Sequence, residues 1–283
     1  MTWCIYLIIS ILLISCNGLF HRSLLKDDDS SPQAQTIAFL GLGGFIAIVV
    51  ALIQGKLDLL FPIGLIWNFI ILIVMLTPAY LLKYRSYQLI GASEVVMFSV
   101  TGRILNIIGA YFFLHENITL KIIIGALLIL FGVMITRYEK KKFVLNKGVG
   151  IVLLSSVLFG LSDINGYYIL KSYDSTNFLI YSELLPVLTL LILNPKAVKR
   201  LRYYFQKGRT LKISLLSLCD AFGMLALYLA FQSGGSASII GPLRATSIIV
   251  TTVLAILILK ERNNIRNKIV GSVIAVIGAM FLI

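Results

Sequence analysis

Six ionisable side chains lie inside or at the edge of long apolar runs of this 283-residue sequence: Glu94, Arg103, Asp163, Glu183, Asp220 and Arg244. A charge within a bilayer-crossing helix costs roughly 2.5–3.5 kcal/mol on insertion scales, so such residues are rare and mark ligand, ion or proton paths. Arg103 offers a planar fork of donors that suits a carboxylate or a phosphate of a ligand, the alternative being an ion pair or carbonyl clamp that holds helices together. It shares a helix face with Ser99 and Asn106. The equivalent polar face further along the chain carries Arg244, Ser247 and Thr251. Both faces are expected to line one cavity. Counted from the ends of their runs, Arg103 lies about 18 Å deep, while Arg244, Asp163 and Glu183 share a level about 10 Å from one face. One base and two acids at one depth can form a buried network. Asp163, Glu183 and Asp220 are the candidate proton-coupling sites, equally readable as structural hydrogen-bonding groups, because burial brings a carboxylic acid within reach of proton exchange. Glu94 is shallow enough to reach the interface.

Weaker candidates complete the set. Asn17 falls near one stripe with Ser10 and His21; Asn17 is expected to line the cavity, and His21 to be solvated at the membrane edge. Tyr167 lies one turn beyond Asp163 and is a further lining candidate. Glu116 and Glu261 each end an apolar run and precede another after a short turn. There a carboxylate can accept hydrogen bonds from the free amides of the following helix, which is a folding role. Gly125, Gly132, Gly271 and Gly278 are read as packing sites, since small residues let helices approach closely. A cysteine pair at 132 and 278 tests that packing. The two histidines have no metal or triad spacing, and no cofactor is expected.

The elements that position these residues follow from hydropathy. The chain is 59% hydrophobic and 13% charged, with a mean hydropathy of +0.96, which excludes an ordinary soluble domain. Its net charge of +13 arises mostly from short loops between apolar runs, so no nucleic-acid partner is expected. Cys4, Cys16 and Cys219 lie in apolar runs without motif spacing. Residues 13–16 faintly resemble a lipoprotein cleavage box, but no basic segment precedes them, so the first run is read as a retained span. Ten windows are long enough to cross a bilayer: 2–20, 36–54, 62–82, 91–114, 119–137, 148–170, 176–194, 212–231, 237–259 and 266–283. The connections 21–35 and 195–211 are read as solvated loops.

The loops after spans 1, 3, 5, 7 and 9 hold 2, 2, 5, 7 and 4 basic residues, twenty of the 25. That face is expected to be cytoplasmic, with both termini outside. Residues 92–116 and 237–261 form a repeat at a constant offset of 145: both begin Ala-Ser, run apolar and end on Glu. The glycine pairs follow at an offset of 146. The expected fold is therefore all-α and integral to the membrane: ten transmembrane helices in two inverted five-helix repeats, residues 1–137 and 148–283. With an odd number of crossings per repeat, the second copy enters from the opposite side.

Two five-helix halves, each closing on a small-residue helix, an acidic turn (His115-Glu116 and Lys260-Glu261-Arg262) and a glycine-bearing helix, resemble the drug/metabolite transporter superfamily, EamA type. Gly241-Pro242 resembles the proline such helices carry, although Met97 stands at the matching position of the first copy. Members of that family are described with both termini cytosolic, which disagrees with the charge count. The resemblance implies a transporter and leaves the substrate open.

The functional expectation is a secondary transporter, read as an exporter, of an amino acid or other small polar solute. It would work by alternating access in a prokaryotic plasma membrane, with protons as candidate coupling ion. A monomer suffices geometrically, and a dimer is compatible. The alternatives are a lipid or drug flippase of the same superfamily and a non-transporting scaffold. A membrane-embedded enzyme is disfavoured for want of convergent catalytic groups.

Overall fold

The computed structural model describes residues 2–25, 30–58, 60–90, 95, 98–137, 146–206, 208–250, 253 and 265–282, with backbone alone at 16–19, 22–23, 137 and 265. Glu94, Met97, Thr251 and Glu261, and the side chain of Asn17, lie outside the described set. Among the described residues every regular element is helical. The helices are α1 (Thr2–Leu24), α2 (Pro32–Ile53), α3 (Ile66–Leu89), α4 (Thr101–Leu114) and α5 (Leu120–Arg137) in the first half. The second half holds α6 (Lys147–Leu170), α7 (Ser175–Leu193), α8 (Arg209–Gln232), α9 (Ala237–Ala245) and α10 (Ile265–Leu282). Two 3₁₀ segments, Ile63–Leu65 and Pro195–Tyr203, precede α3 and follow α7.

Long apolar runs become helices because, in hydrocarbon, each backbone polar group must find its partner within its own segment. The ends are set by polar side chains. Asn146 opens α6 by accepting from the Val149 amide at 3.0 Å, and Asp174 opens α7 by accepting from the Thr176 and Asn177 amides at 2.9 Å. Among the described residues, five segments are long and apolar enough to cross a membrane: Pro32–Ile53, Ile63–Leu89, Lys147–Leu170, Ser175–Leu193 and Arg209–Gln232. Shorter apolar helical stretches among those residues are Thr2–Ser15 within α1, Thr101–Leu114, Leu120–Thr136 and Ala237–Val250. Large apolar side chains such as Ile53, Trp67, Phe112, Ile192 and Met280 are exposed on the outside. That is the surface a bilayer covers rather than water.

Three boundaries differ from the hydropathy windows. Helix α3 runs on to Leu89, so Lys83 and Tyr87 are helical rather than in a loop. The apolar window stops at the first charge, but the backbone ladder does not. Helix α1 likewise continues past His21 to Leu24. The connection 195–211, expected to be a solvated loop, begins with the ordered 3₁₀ segment and buries Ala197, Tyr203 and Tyr204.

Most of the large helix pairings are the same when the halves are exchanged, the α4–α6 contact being the exception. α1 packs on α8 as α6 packs on α3, while α2 meets α7, α4 meets α9 and α5 meets α10. The α5–α10 seam shows the direction of pairing. A side chain at Gly132 would strike the Gly271 carbonyl and the Ala275 amide, and one at Gly125 would strike the Gly278 carbonyl. The two helices are thus antiparallel. This corrects the register of the proposed cysteine pair: 132 lies against 271 and 275, whereas 278 lies two turns away against 125.

Candidate functional site

Close approach between α4 and α6 makes the site. A side chain at Gly102 would meet the Ser156 carbonyl, and one at Gly160 would meet the Gly102 carbonyl. With no side chains between them, the backbones come near enough for Arg103 on α4 to reach Asp163 on α6. Arg103 Nη1 donates to Asp163 Oδ2 at 2.7 Å, and Asn106 Nδ2 donates to the same oxygen at 3.3 Å. Helix α9 supplies the second cation. Gly241 packs against Asn106, and one turn later Arg244 Nη1 stands 4.0 Å from Asp163 Oδ2. The other terminal nitrogen of Arg244 donates to the Met224 thioether at 3.0 Å, a weak acceptor. One carboxylate therefore sits between two guanidinium groups.

These groups line a cavity of about 240 Å³ enclosed by helices of both halves. Arg103, Asp163, Tyr167 and Arg244 line it. His21, Lys83 and Tyr87, from the last turns of α1 and α3, line it as well. Ser99, Glu183, Asp220 and Ser247 line it too. Aromatic rings from Phe39, Tyr80, Phe159, Phe178 and Tyr228 form much of the wall. Tyr167 is buried and stacks on Phe231 with centroids 4.9 Å apart, and its hydroxyl has no hydrogen-bond partner among the described residues. Asn106 Oδ1 is similarly unpartnered.

The sequence model of the EamA-like transporter family matches the chain twice, over residues 1–138 and again over residues 146–283. The chain belongs to the EamA-like transporter family. Among solved structures, one described only as the crystal structure of a protein matches 99% of this chain and 96% of its own, with a TM-score of 0.78. At 14% identity that likeness concerns the fold alone. No curated protein matches the chain.

In this EamA-like protein the structure brings Arg103, Asn106, Asp163 and Arg244 together and places Ser99, Ser247, Tyr167, Glu183 and Asp220 around the same cavity. Glu183 shares the cavity but not the Asp163 cluster. Its carboxyl packs over Gly43 of α2, and among the described residues it has no hydrogen bond or ion pair. The three-residue network of Arg244, Asp163 and Glu183 expected from depth alone is therefore split. His21, expected to be solvated, is 7% exposed. Its Nδ1 lies 3.3 Å from Gln35 Nε2, and its ring meets Phe39 and Tyr84.

Lys83 is the main residue missed. Its ammonium lies 5.3 Å from the Phe159 ring centroid and has no hydrogen-bond or ion-pair partner among the described residues. The spacing Tyr80, Lys83, Tyr87 is a helical stripe, and was the readable signal.

Glu116 has a different partner from the one expected. Its carboxylate accepts from the amides of Ala237 at 2.7 Å and Ser238 at 3.0 Å, and from the Ser238 hydroxyl at 2.6 Å. It thus caps α9 in the other half, while Thr119 opens α5 itself by accepting from the Ile122 amide at 3.3 Å. The left-handed turn at His115, φ 57°, aims the carboxylate across the seam. Other bonds close the same face. Lys171 Nζ donates to the Leu114 carbonyl, Gln232 Nε2 to those of Leu170 and Tyr173, and Asn177 Nδ2 to that of Lys56.

Proposed function

We propose that this transporter exports a small polar metabolite bearing an anionic group, such as an amino acid or a related solute, by alternating access between inverted halves. The observation that carries the reading is Arg244. It is a cation lining a central cavity, 4.0 Å from a carboxylate already engaged by Arg103, and among the described residues its one close acceptor is a thioether. A substrate carboxylate is a far better acceptor for its planar fork. Tyr167 supplies a free hydroxyl beside it. Arg103, held by Asp163, orients that carboxylate and keeps the cluster cationic. Glu183 and Asp220 line the same cavity and suit the ammonium end of a zwitterion. Glu183, buried and without a basic partner among the described residues, is the favoured proton carrier.

The mechanical part rests on the pairing of the halves. Antiparallel contact between equivalent helices supports inverted repeats, which exchange conformations to open one face and then the other. Here the loops after α2, α4, α6 and α8 are tied together, and the cavity lining runs towards the basic-loop face.

The test is thermal unfolding of detergent-purified protein against a panel of amino acids, dicarboxylates, sugars, amines and apolar drugs. A ligand of the folded state raises stability by RT ln(1 + [L]/Kd). A carboxylated solute is expected to raise the midpoint in wild type and to lose that effect in Arg244→Gln. A shift with amines or apolar drugs alone contradicts the reading.

A further inference from the structure

The connection between α7 and α8 carries the densest positive charge in the chain and no compensation for it. No Asp or Glu occurs between Glu183 and Asp220. Within that interval Lys196, Lys199, Arg200 and Arg202 are all exposed, and none has a hydrogen-bond or ion-pair partner among the described residues. We propose that Pro195–Tyr203 and the turn after it form a docking shelf for the headgroups of anionic lipids.

Three observations support a built surface rather than a solvated run of charge. The segment is anchored from beneath: Ala197, Tyr203 and Tyr204 are buried against α2 and α8. The Tyr204 hydroxyl donates to the Ser31 carbonyl and accepts from the Ser31 amide, both at 3.2 Å, and Asn194 Nδ2 donates to Gln33 Oε1 at 3.0 Å. These bonds fix the segment to the start of α2. The guanidinium of Arg209 lies 3.9 Å from the Tyr203 ring centroid and stiffens the far end. Finally, two apolar side chains, Val198 at 46% and Phe205 at 48% exposure, stand among the cations.

Exposed apolar groups beside unpaired cations match the boundary between headgroups and acyl chains. They do not suit a nucleic acid or an acidic protein surface, where Val198 and Phe205 would face only polar groups. The shelf joins the ends of two apolar helices, so a leaflet surface lies within reach of every one of these cations. Juxtamembrane Lys and Arg gain affinity for an anionic leaflet roughly additively, about fivefold for each cation. The planar donors of Arg200 and Arg202 fit a lipid phosphate.

The experiment titrates the purified full-length protein with phosphatidylglycerol or phosphatidylcholine in mixed micelles. It reads the unfolding midpoint and, by native mass spectrometry, the lipids retained. The shelf variant is Lys199→Gln with Arg200→Gln and Arg202→Gln. A control neutralises Lys147, Arg266 and Lys268, three cations elsewhere on the same face. Wild type and control are expected to retain phosphatidylglycerol over phosphatidylcholine and to be stabilised by it. The shelf variant, unfolding like wild type in phosphatidylcholine, should need at least tenfold more phosphatidylglycerol for the same shift. Arg202→Gln alone should show a smaller loss in the same direction, which keeps the test readable if the triple variant misfolds. Equal retention by the shelf variant overturns the proposal. So does an equal loss in the control, which assigns the effect to diffuse charge. Glycerol phosphate matching the lipid also overturns it, since a free anion then suffices.

Discussion

Asp163 accepts from Arg103 and Asn106 and faces Arg244, so the effect of changing any one of them depends on what is left behind. Removing Arg103 alone leaves a half-buried carboxylate with one cation 4.0 Å away. A hydrogen bond to a charged group contributes about 1.5–3 kcal/mol, and the cavity side of this pair is partly open, so Arg103→Gln should cost about 2 kcal/mol. Adding Asp163→Asn removes the stranded charge, and most of that loss should return in thermal unfolding. No recovery in the double variant would mean that Arg103 stabilises the fold through other contacts. The charges of this cluster were legible because each interrupts a long apolar run. Their grouping was less so. Depth put Glu183 with Asp163 and Arg244, but rotation about each helix axis decides which side chains meet, and hydropathy does not report it. Lys83 escaped because it sits where the apolar window ends, and there a half-buried lysine reads like an ordinary loop charge.

At the scale of elements, two of the contacts between the halves can be tested separately. Glu116 closes the free amides of α9, and Glu116→Gln keeps its shape but replaces a double acceptor of charge with a single neutral one. Loss of such a cap costs about 1 kcal/mol, and the measurement is the unfolding midpoint of the purified variant. Ser238→Ala should cost less, because the two amide bonds survive. The α5–α10 seam makes a sharper prediction. Cysteines at 132 and 275, or at 125 and 278, should cross-link within one molecule, and a pair at 132 and 278 should not. Gly132→Val should destabilise by about 1–3 kcal/mol, since the Gly271 carbonyl and Ala275 amide leave no room. That glycines would meet was legible from their seven-residue spacing. Their register was not. A twofold exchange maps Gly125 onto Gly271 and Gly132 onto Gly278, so the contacts fall between glycines that are not equivalents. Sequence offset pairs equivalents and misses this. The partner of Glu116 was hidden for the same reason, being a neighbour created by the symmetry and not by the chain.

Across the whole molecule, the α1–α8 and α3–α6 pairings exchange with each other, the α2–α7, α4–α9 and α5–α10 pairings map onto themselves, and the cavity draws its walls from both halves. The repeat at offset 145 was enough to expect this plan, and its family, because a duplication survives in the apolar pattern even where side chains have diverged. What the cavity holds is less legible. The two arginines, one lysine and three acids that line it are spread over six helices, and only packing brings them to one cavity. The central claim is that this cluster binds and carries the substrate. The most direct measurement is counterflow of the panel solutes into proteoliposomes, comparing wild type with the charge-balanced Arg103→Gln/Asp163→Asn variant and with Arg244→Gln. Flux of a carboxylated solute in wild type, abolished or strongly reduced in both folded variants, is the predicted result. Undiminished flux in both variants would contradict the account and place the transport path elsewhere.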